Sequence, residues 1–254
     1  MNMIISVAVL FYFATAVLLQ LRLLGKLHLS KGILLALSFP ALICHAYLLH
    51  AWIDIGSGQN LTFLIVLSLM TWLISSLVWI ATLFQPTENI GLFIFPLSAL
   101  SILFAISFPE QYMINTAANP RQLIHILLSV FTFSVLGAAG LQAILLAMQE
   151  RLLRYKFISS VIQKLPPLQV MESLLFRMIT LGFFLLSVVL TTSFYFFSTL
   201  LFPQLLERSI LVILAWIIFA ILLAGRRFLG WRGHMATYFT LSGLVFLFMG
   251  YTQH

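Results

Sequence analysis

The sequence predicts an all-α fold: a polytopic membrane helix bundle of about eight transmembrane helices, with both termini on the outer, periplasmic side. Three observations lead there. The 254 residues are 62% hydrophobic and only 7% charged, with a mean hydropathy of +1.12, whereas water-soluble domains carry about 25% charged residues. So few polar side chains cannot coat a soluble globule. Apolar runs of about 20 residues recur along the whole length, which is the extent a helix needs to cross a bilayer. A membrane β-barrel requires alternating segments of about ten residues instead. Finally, basic residues fall almost entirely in alternate connections, which orients the chain.

The spans follow in order from run length and from the turn or charge signals between them. The first, 3–21, has no basic start of the kind a cleavable signal carries and is expected to remain as a span. The break LRLLGKLHLSK leads to the second span, 32–52, which contains Pro40, Cys44 and His45. DIGSGQN separates it from the third, 61–84, and QPTEN separates that from the fourth, 91–108. FPEQYMINTAANP precedes the fifth, 121–147, where Gly137 and Gly140 in LGAAGLQA suit close helix contact through small residues. QERLLRYKFISSVIQKLPP reads as a loop before the sixth, 173–200. LFPQLLER and GRRFLGWRGH then bound the seventh, 208–225, and the eighth, 235–252. No linker, short-period repeat or low-complexity tract interrupts the chain, so residues 1–254 are expected to form a single membrane domain.

Orientation follows from the cations. Arg22, Lys26 and Lys31, then Arg151, Arg154, Lys156, Lys164 and Arg177, then Arg226, Arg227 and Arg232 lie at one set of span ends. Only Arg121 and Arg208 lie at the other, a count of 11 against 2 that assigns the first set to the cytoplasm. The net charge of +7 is thereby explained by basic residues collecting in cytoplasmic loops, and membrane lipid rather than nucleic acid is the expected partner.

That orientation brings two histidines to one depth. His45 lies about seven residues before the outer end of the second span and His125 about four residues after the outer start of the fifth, so each is roughly 6–11 Å from that end. His28 and His234 fall in inward loops, His50 at the outer interface, and His254 is the last residue. A histidine within a span either makes a helix–helix hydrogen bond, worth about 0.6 kcal/mol on average, or belongs to a site. Residue type and spacing leave both readings open. Neutral imidazole is a common metal ligand, and two from facing helices suit the axial positions of one haem iron. A bare zinc centre usually takes three or four protein groups. Here only Cys44, Asp54 and Glu110 lie near that level, and Cys44 points about 100° away from His45 on its helix. Pro40 removes the backbone bond to the Ala36 carbonyl, which either kinks the span beside His45 or is tolerated as an ordinary membrane proline.

No nucleophile–base pair, phosphate loop or metalloprotease motif is present, and Cys44 alone provides neither an internal disulfide nor a CxxCH motif. Glu172 is the one acid expected within a span, which is sparse for a proton-coupled pump. A small-solute transporter would show an internal repeat with broken helices in matching halves. Pro40 and Pro96 offer breaks without such a repeat. A cofactor-free accessory subunit of a membrane complex remains a further class.

Taken together, SGQNLTFLIVLSLMTWL, FPEQY with HILLSVFTFSVLGAAGLQAILLAMQERLL, LPPLQVMESLLFRMITLGFFLLS and GWRG before the last span resemble the cytochrome c assembly protein superfamily. The resemblance runs in order over nearly the whole chain and is nearest to the HemX/YpjD-like branch of eight-span bacterial inner-membrane proteins. It implies haem handling in cytochrome c biogenesis at the outer face of the inner membrane, a non-covalent b-type haem, and other biogenesis proteins as partners. It further implies His45 and His125 as haem axial ligands, binding its iron, and a motif of unassigned role at Gly230, Trp231, Arg232 and Gly233. Members that present haem to an apocytochrome carry a tryptophan-rich WWD segment. In this chain Trp52, Trp72, Trp79, Trp216 and Trp231 are scattered, so haem binding is the firmer expectation than haem delivery.

Overall fold

The computed structural model describes residues 1–55, 58–85, 87–109, 112–114, 120–154, 166–197 and 203–252; Glu110, Lys156, Lys164 and His254 lie outside them. Eight α-helices occur among the described residues: α1 Asn2–Leu23, α2 Lys31–Ile53, α3 Phe63–Phe84, α4 Gly91–Ser107, α5 Pro120–Arg154, α6 Leu168–Phe197, α7 Pro203–Ala224 and α8 His234–Thr252. Among the described residues seven apolar segments are long enough to cross a membrane, and His234–Gly250 in α8 adds a shorter one. The fold is that of a multi-pass helical membrane protein. The described residues divide into two compact units, one within 1–123 and the other within 124–252.

In the first unit α1 packs on α2 and α4, and α3 packs on the same two, which makes a four-helix ring. α1 stops because Gly25 takes a left-handed conformation (φ +78°). Gly25 N–H then donates to the Arg22 carbonyl and Lys26 N–H to the Leu21 carbonyl, closing the last turn as a Schellman motif. α2 starts at Ser30, whose hydroxyl accepts from Ile33 N–H at 3.4 Å. The indole N–H of Trp72 donates to the Leu42 carbonyl and that of Trp79 to the Leu35 carbonyl. Both bonds share one antiparallel register between α2 and α3. Phe39, Ile43 and Tyr47 form an exposed stripe on α2, as Leu10, Phe13 and Val17 do on α1. Hydroxyl residues face inward instead, the arrangement that lipid as a solvent favours. Three short strands, β1 Asp54–Ile55, β2 Gly58–Asn60 and β3 Met113–Ile114, form an antiparallel sheet in that order at one end of the ring.

In the second unit, close approach depends on glycines. A Cβ at Gly140 would meet Leu244, and one at Gly182 would meet Leu136. Gln142 donates to the Met171 carbonyl and Gln149 to the Pro166 carbonyl, both at 3.0 Å, joining α5 to α6 and its leading turn. α7 ends in a π-helical turn, Gly225–Leu229. Three boundaries differ from the hydropathy reading. α5 runs on to Arg154, while α6 and α7 begin at Leu168 and Pro203. The extra turns of α5, residues 148–154, hold Gln149, Glu150, Arg151 and Arg154, which lower the hydropathy without ending a helix.

Candidate functional site

His45 sits at the centre of the first unit with no exposed surface. α2 presents it inward because Phe39, Ile43 and Tyr47 occupy the opposite, exposed stripe. Both ring nitrogens have partners: the Tyr12 hydroxyl of α1 lies 3.2 Å from Nδ1 and the Ser68 hydroxyl of α3 lies 2.9 Å from Nε2. A neutral imidazole has one N–H and one lone pair, so the two hydroxyls satisfy it completely in either tautomer. Tyr12 also meets the His45 ring edge-on at 5.8 Å and stacks on Phe95 of α4.

The polar cluster continues from Ser68. Ser101 of α4 donates to Ser68 at 3.4 Å and pairs with Thr71 at 2.8 Å, and Ser75 pairs with Ser98 at 2.8 Å. Ser68, Thr71 and Ser75 share one face of α3 by their i, i+3, i+7 spacing, opposite Ser98 and Ser101 on α4. All five are buried. His45 stands out by residue type in an apolar run, whereas Tyr12 and these hydroxyls do not. Their signal is the period SxxTxxxS, which serines and threonines that bond their own helix backbone also produce.

His125 belongs to the second unit. It is half-buried near the start of α5, with Nδ1 3.1 Å from the Thr192 hydroxyl of α6. That hydroxyl donates to the Val189 carbonyl, so its remaining capacity toward His125 is oriented. Of the other donors considered, Cys44 is partly exposed and Asp54 is paired with His50 at 2.7 Å. Among the described residues no group of three or more His, Cys, Asp or Glu is placed to hold a bare metal ion.

The GWRG loop has an internal structural part. Gly230 and Gly233 take left-handed conformations (φ +67° and +52°) that turn the chain from α7 into α8. The Trp231 indole lies against Gly225, where any Cβ would strike the ring, and its centroid is 4.9 Å from that of Phe239. Arg226 donates to Glu172 of α6 at 2.8 Å and to the Trp231 carbonyl at 3.3 Å, and it lies 4.4 Å over the Phe176 ring. Gly233 leaves room for the Glu150 side chain of α5. The loop therefore brackets α5, α6 and α7, while Arg232 is left exposed.

Fold and site together define a polytopic helical membrane protein with a buried, hydroxyl-bound histidine and a second, half-buried one. The family model described as Cytochrome C assembly protein matches residues 32–252, and the chain belongs to that family. The inner membrane protein YpjD of Escherichia coli K12 is 32% identical over 217 residues, covering 83% of this chain and 81% of its own. The proteins of the same name from E. coli O6:H1 and O157:H7 match to the same extent. No solved structure matches the chain. It is a multi-pass inner-membrane protein.

Proposed function

We propose that this chain handles haem in cytochrome c biogenesis, as a single membrane domain that binds non-covalent b-type haem with His45 and His125 as axial ligands. The observation that supports the biogenesis reading is the family match over residues 32–252; the ligand roles of His45 and His125 are part of the proposal. His125 is half-buried, and Thr192 orients one ring nitrogen, as a supporting hydroxyl orients a metal-bound imidazole. His45 does not fit in the packing described, because both nitrogens are hydrogen-bonded and the ring is enclosed. Ligation there requires Tyr12 or Ser68 to yield its bond. A second reading follows from that enclosure: His125 ligates and His45 holds α1, α2 and α3 together. The termini are proposed to face outward, with the loops carrying Lys26 and Arg232 in the cytoplasm, on the distribution of cations.

The test is the visible spectrum of protein purified in mild detergent from haem-replete cells. A Soret band, with sharp α and β bands on reduction, is expected. Loss or shift of these in both His45→Ala and His125→Ala supports the two-ligand reading. Loss in His125→Ala alone supports the second. Haem-free protein that also fails to bind added haemin overturns both.

A further inference from the structure

A cleft of about 450 Å³ opens at the end of the first unit where α1 finishes and α4 begins. It is lined by Leu19, Arg22, Leu23 and Leu27 from α1 and its exit, by His28 to Ser30 of the connection, and by Glu88 and Asn89 of the short turn before α4. Its volume is in the range of sites that enclose small organic ligands. The site lies where apolar helices give way to their polar ends, the level of lipid headgroups in a bilayer.

Its chemistry is that of a paired but undercompensated charge. The Glu88 side chain is only 16% exposed, and Oε1 stands 3.5 Å from Arg22 Nη1, which is beyond a close charge-assisted bond. Its other oxygen, Oε2, is buried, and among the described residues no group donates to it. Oε2 is closed off from the cleft, so a further cation there approaches the carboxylate at the part of the side chain left exposed, beside the loosely paired Oε1, and gains most if it also donates hydrogen bonds. Arg22 and His28 line the same cleft and suit an anionic group on the same ligand, while Leu19, Leu23 and Leu27 give it an apolar wall.

We propose that this cleft binds a phosphoethanolamine headgroup, with the primary ammonium at Glu88, the phosphate toward Arg22 and His28, and the glycerol and upper acyl carbons along the leucines. The ligand is an aminophospholipid. A quaternary ammonium lacks the N–H donors, and a glycerol headgroup lacks the cation. Neither haem nor the orientation of the chain enters the assignment.

The test uses the full-length protein in mixed micelles with phosphatidylethanolamine, phosphatidylcholine or phosphatidylglycerol of identical acyl chains. Retention is read by native mass spectrometry and by the shift in thermal unfolding. Wild type is expected to retain the ethanolamine lipid about tenfold better than the choline lipid, the scale of one charge-assisted hydrogen bond. Glu88→Gln is expected to abolish that preference and leave any haem spectrum unchanged. Equal retention of ethanolamine and choline lipids by wild type overturns the proposal without use of a variant. A preference that survives Glu88→Gln also overturns it. Free phosphoethanolamine that competes as well as the lipid keeps the headgroup chemistry and overturns the lipid as its source.

Discussion

Ser68→Ala tests the internal site most directly. The substitution removes an oxygen 2.9 Å from His45 Nε2 at a place where neither residue has exposed surface, so no solvent replaces the lost partner. Ser101 loses its 3.4 Å contact with Ser68 but keeps Thr71 and the Ser98 carbonyl, so the cost falls mainly on the imidazole. A side-chain hydrogen bond between membrane helices contributes about 0.6 kcal/mol on average and about 1.7 kcal/mol at most. Leaving a buried donor or acceptor without a partner costs about 1–3 kcal/mol. The expected loss is therefore about 1–2 kcal/mol in reversible unfolding by SDS in mixed micelles, followed by helical circular dichroism. His45→Leu in the Ser68→Ala background should cost less than the sum of the two single changes, because no nitrogen is left to orphan. A loss under about 0.3 kcal/mol, or strict additivity in that cycle, refutes the hydrogen-bonded site.

The GWRG bracket gives two further predictions. Arg226→Ala should destabilise by about 1–3 kcal/mol, since it leaves Glu172, 13% exposed, without its cation, and Glu172→Gln in the same chain should recover much of the loss; equal stabilities in SDS unfolding would show that the pair is not formed. Gly225→Ala should cost about 1–3 kcal/mol by driving a methyl group into the Trp231 ring, whereas Gly230→Ala meets no neighbour and should cost about 1–2 kcal/mol through its left-handed backbone; the same unfolding assay ranks the two. Orientation is checked with membrane-impermeant maleimide in a Cys44→Ala background. Met3→Cys should label in intact cells and Lys26→Cys only after the inner membrane is opened, and the reverse pattern would invert the assignment.

Most helix ends were legible because apolar run length and helix length nearly coincide in a membrane. The spans read at 3–21, 32–52, 61–84 and 91–108 agree within two residues with α1 to α4. They part at α5, where the hydrogen-bond ladder continues through Gln149, Glu150 and Arg151 after hydropathy has fallen. Hydropathy marks the edge of the lipid-compatible stretch, and nothing about that edge ends a helix. The small sheet was invisible for another reason: strands of two or three residues are too short to show a period. In the site, His45 stood out because histidine is costly in an apolar run. Tyr12 and Ser68 did not, since they come from positions 33 and 23 residues away and only the packing of α1, α2 and α3 makes them neighbours. Hydroxyls are ambiguous in such helices, as Thr15 and Ser38 show by donating to the carbonyls of Phe11 and Leu34 on their own helices.

The two possible duties of His45 compete for the same atoms, and that competition can be measured. In lipid, apolar burial gives little drive for one helix to meet another, so the bonds from Tyr12 and Ser68 to His45 help to fix how α1, α2 and α3 meet. Haem ligation at His45 must displace one of those hydroxyls. Ser68→Ala removes the competitor at Nε2 while leaving Tyr12 to orient the ring through Nδ1. If His45 ligates, the variant should therefore hold haem at least as well as wild type despite being less stable, with a Soret band that withstands more imidazole or detergent. If His45 is structural, haem content should follow His125 and its Thr192 support, and the Ser68→Ala spectrum should match wild type at every haemin concentration. Loss of haem from Ser68→Ala in step with its loss of stability would contradict a ligand role for His45, because the freed nitrogen would then have gained nothing.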